Sequence, residues 1–564
     1  MRPRLALLRR VLARKLQSPP LRSFAGTSIH RTRPQLPFLS VPTRTRAPHQ
    51  FRYLTTERKA RLRYEIKLGI KYTSYLWLAA GAVLAAGFAI SQESLERQYP
   101  TPHEWSFLTR MRFRGAFCTR DQTNPHRATD WVAVMQWIKG SVERLENPSI
   151  DGKGVRDAPS NRPHGTKDIG AMPESWRRGY YETMMIYAKA AEHCEGWVID
   201  KTRNMIFPPG VMIGPSNLRP RPLPAGFHGA PKEENCEFPF ETPDDIYLRI
   251  ISTEGLTNRQ RMDASLAYAS WLEFKGIAGP AGIMYEDAVQ LALSELPSAP
   301  TEPLDRKTWT LKEDAGEPSA NLLTALTAYA TYRARQGDVS SALPIFVSIL
   351  KARRSLPTLA DSASNQLWAP RRDTPPATAT GAVSGLGKSI ISFFGPPPYP
   401  SPPDDGVAPP IRDAKELCEE AALSLHIGEI MYTAPNGTSR EEGLSWTREA
   451  VDVTEEQLHK LTSSAADKPA SRTCRDCLSS GLQNWSTMVA QLARDEAAKT
   501  EAAKAKKSSS TWLSLWGSET ETKKEDTSRW AAEEKVIQER ERRAKDLLDE
   551  LRPPGAGLAS LFTA

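Results

Sequence analysis

No Asp or Glu occurs before Glu57, no charged residue occurs between positions 72 and 92, and no second run of that kind follows. Nor does the chain hold an HExxH, a nucleophile elbow or a pair of carboxylates in a recognisable frame. Long stretches alternating apolar with polar residues are missing too, which excludes an extensive sheet; weak strand candidates are confined to residues 197–200, 205–207 and 211–213. Six cysteines contain a single CxxC, Cys474 and Cys477, without the second pair or neighbouring histidines that a structural zinc needs. Together these absences point to a binding protein without metal or cofactor.

What the leader has instead of acids is Arg2, Arg4, Arg9, Arg10, Arg14, Lys15, Arg22, Arg31, Arg33, Arg44, Arg46 and Arg52, with Ser and Thr interspersed. That is the composition of a mitochondrial transit peptide over residues 1–56. Residues 1–16 can form a helix with Leu5, Leu8, Val11 and Leu12 along one side and arginines on the other, which suits import down a negative-inside potential. A secretory leader would need an apolar core, which is lacking; the competing reading is a basic arm that binds RNA or lipid. These twelve positive charges exceed the whole chain's formal net charge of +9. The remainder is therefore near neutral, and no nucleic-acid partner is implied.

The uncharged run 72–92 is twenty-one residues long. At about 1.5 Å per residue it spans about 30 Å, a hydrocarbon core, and predicts one transmembrane helix. Arg58, Lys59, Arg61, Arg63, Lys67 and Lys71 precede it, whereas Glu93, Glu96, Arg97 and Glu104 follow. The positive-inside bias places the short N-terminus in the matrix and the long C-terminal part in the intermembrane space of the mitochondrial inner membrane. Gly81, Ala85 and Ala89 recur every fourth residue, a smooth face for another transmembrane helix; an Ala-rich span without a partner is the competing reading.

Forty-five prolines in 564 residues exceed the average of about 5%, and they gather in residues 149–173, 208–243 and 357–410, leaving helices between. The expected organisation is an N-terminal helical region with Pro-rich loops (93–254), helix pairs (255–356), a disordered Pro-rich insertion (357–410), and C-terminal helices (411–552) interrupted by a disordered insertion near 497–527. In residues 321–350, Gly337 and Asp338 mark a turn, with Leu326, Tyr329 and Ala330 on one helix and Ala342 and Phe346 on the next. Those are the knob and small-residue positions of a tetratricopeptide repeat. A second pair combines 260–276 with 285–296 across a longer Gly and Pro turn, with Ala269, Leu272, Ala288 and Leu291 inward. A third combines 414–432 with 439–461, with Leu423, Ile427, Leu444 and Ala450 inward. Residues 175–194 and 473–496 provide further first helices, the latter paired with 530–551. The fold class is all-α: a single N-terminal transmembrane helix followed by an irregular tetratricopeptide-like solenoid with long Pro-rich insertions. A generic helical bundle is the alternative, but stacked pairs share a core that one pair cannot close alone.

Three motifs need a decision. Residues 382–389, AVSGLGKS, match a loosened phosphate-loop pattern. A phosphate loop leaves a buried strand and opens a helix, whereas Thr374, Pro375, Pro376 and Ala377 precede this one, so no nucleotide is expected. Cys474 and Cys477 fall near one helix face, which leaves open a local disulfide or burial of both as small apolar side chains. Residues 393–403, FFGPPPYPSPP, offer a polyproline surface or a solvated insertion.

Several segments resemble a fungal mitochondrial family of tetratricopeptide proteins: HEWSFLTRMRFR (103–114), GLTNRQRMDASLAYASWLEFKG (255–276), CEEAALSLHIGEIMY (418–432), GLSWTREAVD (443–452) and CRDCLSSGLQNWSTMVAQLAR (474–494). The family is similar to the adaptor subunit of the inner-membrane i-AAA protease. The resemblance implies a non-enzymatic adaptor that binds unfolded or misfolded proteins and delivers them to the i-AAA protease, beside a second membrane adaptor. Departures are the irregular repeats and the two long insertions. In the framing of 321–350, Thr327, Thr331 and Arg335 face the concave groove. An intermembrane-space assembly scaffold for inner-membrane complexes is the alternative, and an outer-membrane import receptor would need its anchor at the extreme N-terminus.

Overall fold

A computed structural model describes residues 56–550 apart from 122–127, 160–161, 164, 224–228, 295–302, 314–315, 358–398, 434–438, 463–467 and 511–525. The leader 1–55 and the phosphate-loop-like residues 382–389 lie outside the described residues. The chain divides into two compact units, 1–86 and 87–564.

The described part of the first unit is a stretch of one helix, α1 (Thr56–Gln98), long and apolar enough to cross a membrane. Among the described residues, a Cβ added at Gly81 meets nothing within 4 Å, and Ala85 is exposed.

The second unit begins with the last turns of α1, where Ala89 is likewise exposed. The architecture is mostly helical, with α2 (Phe107–Asp121), α3 (Trp131–Glu146), α4 (Glu174–His193), α5 (Pro243–Ser252), α6 (Asn258–Phe274), α7 (Ala278–Ser294), α8 (Ala320–Arg335), α9 (Val339–Arg354), α10 (Ala414–Thr433), α11 (Ser439–Thr462), α12 (Lys468–Ser510) and α13 (Asp526–Glu550). Strand content is small. β1 (Arg156–Asp157) pairs with β2 (Lys167–Asp168), β3 (Val198–Asp200) lies between β4 (Met205–Phe207) and β5 (Cys236–Glu237), and β6 (Leu304–Asp305) pairs with β7 (Thr310–Leu311), all antiparallel. Two of the three strand candidates are thus strands, and the third contributes only a bridge from Ile213 to Lys232.

From α2 onward each helix packs on its successor, and α4, α6, α8, α10 and α12 also touch one another in sequence. Alternate burial explains the pattern. Ala264, Tyr268, Trp271 and Leu272 of α6 join the cluster formed with α2 to α5, whereas Met262 and Ala269 of the same helix join the one formed with α7 to α10. One helix therefore has two buried faces, and the core passes through it. The expected knobs Leu326, Tyr329, Ala330, Ala342 and Phe346 are buried, as are Leu423, Ile427, Leu444 and Ala450.

Local chemistry sets the helix ends. Thr257 and Gln260 form a capping box at α6, Ser319 caps α8 and Asp338 caps α9, each taking up an otherwise orphaned amide. Gly276 (φ 77°) and Gly337 (φ 84°) turn the chain between paired helices in a conformation that other residues adopt at a cost. Here the second predicted pair is corrected. α7 starts at Ala278 and not near 285, because Pro280 sits in its first turn, where a missing N–H removes no helical hydrogen bond. The inter-helix turn is therefore tight. α12 likewise continues to Ser510, so the segment predicted as an insertion from 497 begins as helix.

Buried charge ties the pieces together. Glu96, 3% exposed at the end of α1, takes Arg110 at 2.8 Å, pairs with Arg114, and accepts from Thr101 Oγ1 at 2.7 Å. Arg353 of α9 pairs with Glu416 of α10, a carboxyl pushed up by burial and held down in part by that arginine. Beside this pair the Arg412 amide donates to the Pro357 carbonyl at 3.0 Å. The 358–411 excursion thus begins and ends at one point.

The disulfide differs from the local one considered from sequence: Cys474 is joined to Cys418, 56 residues away, with Cα atoms 5.1 Å apart. Three residues along α12, Cys477 is rotated by about 60° and buries instead among Ala421, Leu425 and Ala450. Non-reducing peptide mapping should recover Cys418 linked to Cys474; a Cys474–Cys477 link would contradict this packing. By loop closure, Cys474→Ala should cost about 4 kcal/mol of unfolding free energy in denaturant titration. At the α10–α11 crossing, a Cβ on Gly443 would press on the Gly428 carbonyl. Gly443→Ala should therefore destabilise by about 1–3 kcal/mol, and an unchanged denaturation midpoint would refute the close crossing.

Candidate functional site

Because α8, α10 and α12 pack side by side, their uncovered faces border one groove of about 930 Å³, lined also by Val339 and Phe346 of α9. The floor is apolar, with Phe346, Leu425, Ile430 and Met488 in the core behind it. Along the rim runs a polar stripe on α12: Asp476, Ser480, the neighbours Gln483 and Asn484, Thr487 and Gln491, recurring every three or four residues. The opposite side of α12 carries Leu478, Leu482, Trp485 and Val489, all buried, which fixes the rotation of the helix and keeps the polar stripe outward.

The three residues framed from sequence as facing a groove divide between two places. Thr331 and Arg335 line the groove; the Thr331 hydroxyl donates to the Thr327 carbonyl at 2.8 Å, and Arg335 Nη1 donates to Glu273 Oε2 at 3.3 Å. Thr327 does not line it. It sits one turn earlier on α8, before the groove begins, with its hydroxyl on the Leu323 carbonyl at 2.7 Å.

The electrostatic centre is a set that sequence reasoning missed. Glu429 of α10 accepts from Asn484 Nδ2 at 2.6 Å and lies 3.8 Å from His426 Nδ1, while the His426 ring stacks on Phe346 at 5.4 Å. The imidazole first, then the Asn484 amide and the Arg335 charge, hold the Glu429 carboxyl below its ordinary range against the opposing effect of burial. Its legible signal was the polar stripe of α12, which needs the apolar stripe behind it to be noticed.

Chemically this is a surface of amides and hydroxyls with the Glu429 and Asp476 carboxylates, the His426 imidazole and the Arg335 guanidinium, over an apolar floor. The one thiol lining it, Cys477, is pushed up to about 12 by burial and stays protonated. Among the described residues no group of three or more His, Cys, Asp or Glu is placed to hold a metal ion. The arrangement suits reversible binding of an extended chain, whose peptide groups need donors and acceptors and whose apolar side chains need a floor. Comparison with protein-family models, with curated proteins and with solved structures gives no match for this chain.

The depressed carboxyl gives a signed prediction. Its folded pKa lies below its ordinary 4.5, so its contribution to stability is complete above about pH 4.5 and is lost as pH falls through the folded value. Glu429→Gln should therefore flatten the acid limb of the stability–pH profile and leave the neutral region with little pH dependence. An acid limb identical to wild type would remove Glu429 from this network.

Proposed function

We propose that this protein is a non-enzymatic adaptor, anchored once in the mitochondrial inner membrane, that holds extended segments of unfolded or misfolded proteins and passes them to the i-AAA protease, alongside a second membrane adaptor. The observation that carries the reading is the groove of α8, α10 and α12: hydrogen-bonding side chains from three successive first helices over an apolar floor, in a chain that also has one helix fit to span a bilayer.

The architecture behind the groove is a tetratricopeptide-like solenoid. Its support is the pairing rule of the helices: α6 with α7, α8 with α9, α10 with α11 and α12 with α13, with first helices touching first helices along the series. Tight glycine turns at Gly276 and Gly337 and the knob positions of residues 321–350 agree with that frame. The segmental resemblance to the fungal adaptor family supports the partner, and the acid-free arginine-rich leader supports the compartment. A disulfide between Cys418 and Cys474 suits an oxidising space on the far side of the membrane from the basic flank.

Mechanistically the adaptor does no chemistry. Tethering a client beside a protease in the same membrane replaces a bimolecular encounter by an intramolecular one at an effective concentration of order millimolar. The groove must release its cargo, and amide and hydroxyl contacts without covalent capture permit that.

The reading is tested by affinity purification of the tagged protein from gently solubilised mitochondria, with wild type compared to a form carrying an unrelated span. Recovery of the protease together with unstable client proteins is expected; one stoichiometric complex without the protease would replace the adaptor by an assembly scaffold. Replacing Thr331, Arg335 and Asn484 by Glu should weaken client capture at least about tenfold, some 1.4 kcal/mol, while the circular-dichroism helix signal is unchanged. Equal capture would remove the groove from client binding.

A further inference from the structure

The Pro-rich segment expected to be a solvated insertion is, from residue 399, laid against the helices. Arg178 of α4, 8% exposed, donates through Nη2 to the Pro400 carbonyl at 2.5 Å and through Nη1 to the Ser401 carbonyl at 2.8 Å. Its guanidinium lies 4.4 Å from the centre of the Tyr399 ring, whose phenol is pushed up to about 12 chiefly by burial. Farther along, Asn321 of α8, 1% exposed, donates through Nδ2 to the Asp405 carbonyl at 2.7 Å and through its backbone amide to the Gly406 carbonyl at 3.0 Å; the Ala320 amide donates to the Ala408 carbonyl at 3.2 Å. Gly406 has φ 70°, and a Cβ there would press on Asn321 and Arg259.

In all five hydrogen bonds the helices donate and the segment accepts. That asymmetry matches the ligand: Pro400, Pro402 and Pro403 have no N–H to satisfy, and their fixed φ pre-orders an extended chain at little entropic cost. Every bond goes to a backbone carbonyl, and Tyr399 supplies the one ring contact to Arg178, so the site reads a backbone shape plus one aromatic ring. The segment does not fill its groove, since about 470 Å³ remains, bordered by Tyr181, Glu182, Gln260 and Asp263.

We propose that the face formed by α4, α6 and the start of α8 is a binding site for proline-rich extended segments of the form Tyr-Pro-x-Pro-Pro, that residues 399–408 are its resident ligand, and that such a segment of a partner protein exchanges with them. This site shares no lining residue with the client groove and stands whether or not the adaptor reading holds. The resident segment competes at a high effective concentration, so a free ligand binds the intact chain weakly and an opened chain well.

The test uses the full-length protein in detergent and a fluorescent peptide, PPPYPSPPDDG, copied from residues 396–406. Tyr399→Ala with Gly406→Ala loosens the resident segment while leaving every helix residue unsubstituted; the added Cβ pushes the segment off Asn321 and Arg259. By anisotropy this form should bind the peptide at least tenfold tighter than wild type, and adding Arg178→Met should remove the gain, with Arg178→Lys failing to restore it because a lysine cannot donate to two carbonyls as a fork. A peptide with every proline replaced by alanine should not compete. No binding by an opened form of native helix content, or binding indifferent to Arg178, would overturn the proposal. Should the opened form lose helix content, wild type is tested instead: millimolar peptide should speed endoproteinase cleavage at Asp404 more than tenfold, and an unchanged rate would overturn it.

Discussion

A helix hairpin has more apolar surface than its own two helices can cover, and the second unit of this protein is the consequence. α6 gives Tyr268 and Trp271 to the core before it and Met262 and Ala269 to the core after it. α10 does the same with Leu423 and Ile427 on one side and Cys418 and Tyr432 on the other. No hairpin is closed until its neighbour is in place, so stability accumulates through nearest-neighbour interfaces. The groove follows from the same constraint, because helices stacked side by side by their apolar faces must align whatever polar face is left. Disulfide and buried ion pairs act where the repetition is interrupted: Arg353–Glu416 closes the chain across the long excursion, and Cys418–Cys474 joins the first turn of α10 to α12.

Two surfaces of different chemistry result. The groove of α8, α10 and α12 offers both donors and acceptors over an apolar floor, which suits segments of varied sequence. In its five hydrogen bonds to residues 399–408 the face of α4, α6 and α8 donates, which suits a chain poor in N–H groups. On the proposed adaptor reading both would be of use, and the helix long and apolar enough to cross a membrane would supply the tether that makes modest affinities sufficient.

Much of the helical framework was legible because it is local. The residues 321–350 carry their own turn at Gly337, their own caps and the small residues of their crossing, so pairing and burial could be read together. Reading failed where the cause is distant or three-dimensional. Pro280 looked like part of a long turn because proline in isolation breaks helices, yet in a first turn it does not. Cys474 found Cys418 across 56 residues, which no local spacing foretells. The segment from 399 looked solvated because its recognition falls on carbonyls, which every residue has, and leaves no pattern among its own side chains. Thr327 shares a helix face with Thr331 and Arg335, but sequence periodicity cannot tell where along that face a groove starts. Glu429, His426 and Asn484 meet only through the packing of α10 on α12.

The central claim is that one continuous stack of helix pairs presents the α8, α10 and α12 groove to extended chains. Hydrogen exchange of the membrane-reconstituted protein, with and without a permanently unfolded client polypeptide, tests it most directly. The account predicts added protection in the last turns of α8, along α10 and in residues 473–491 of α12, with the outer faces unchanged. Protection elsewhere with these three helices unaffected, or protection by a folded control protein equal to that by the unfolded one, would contradict it.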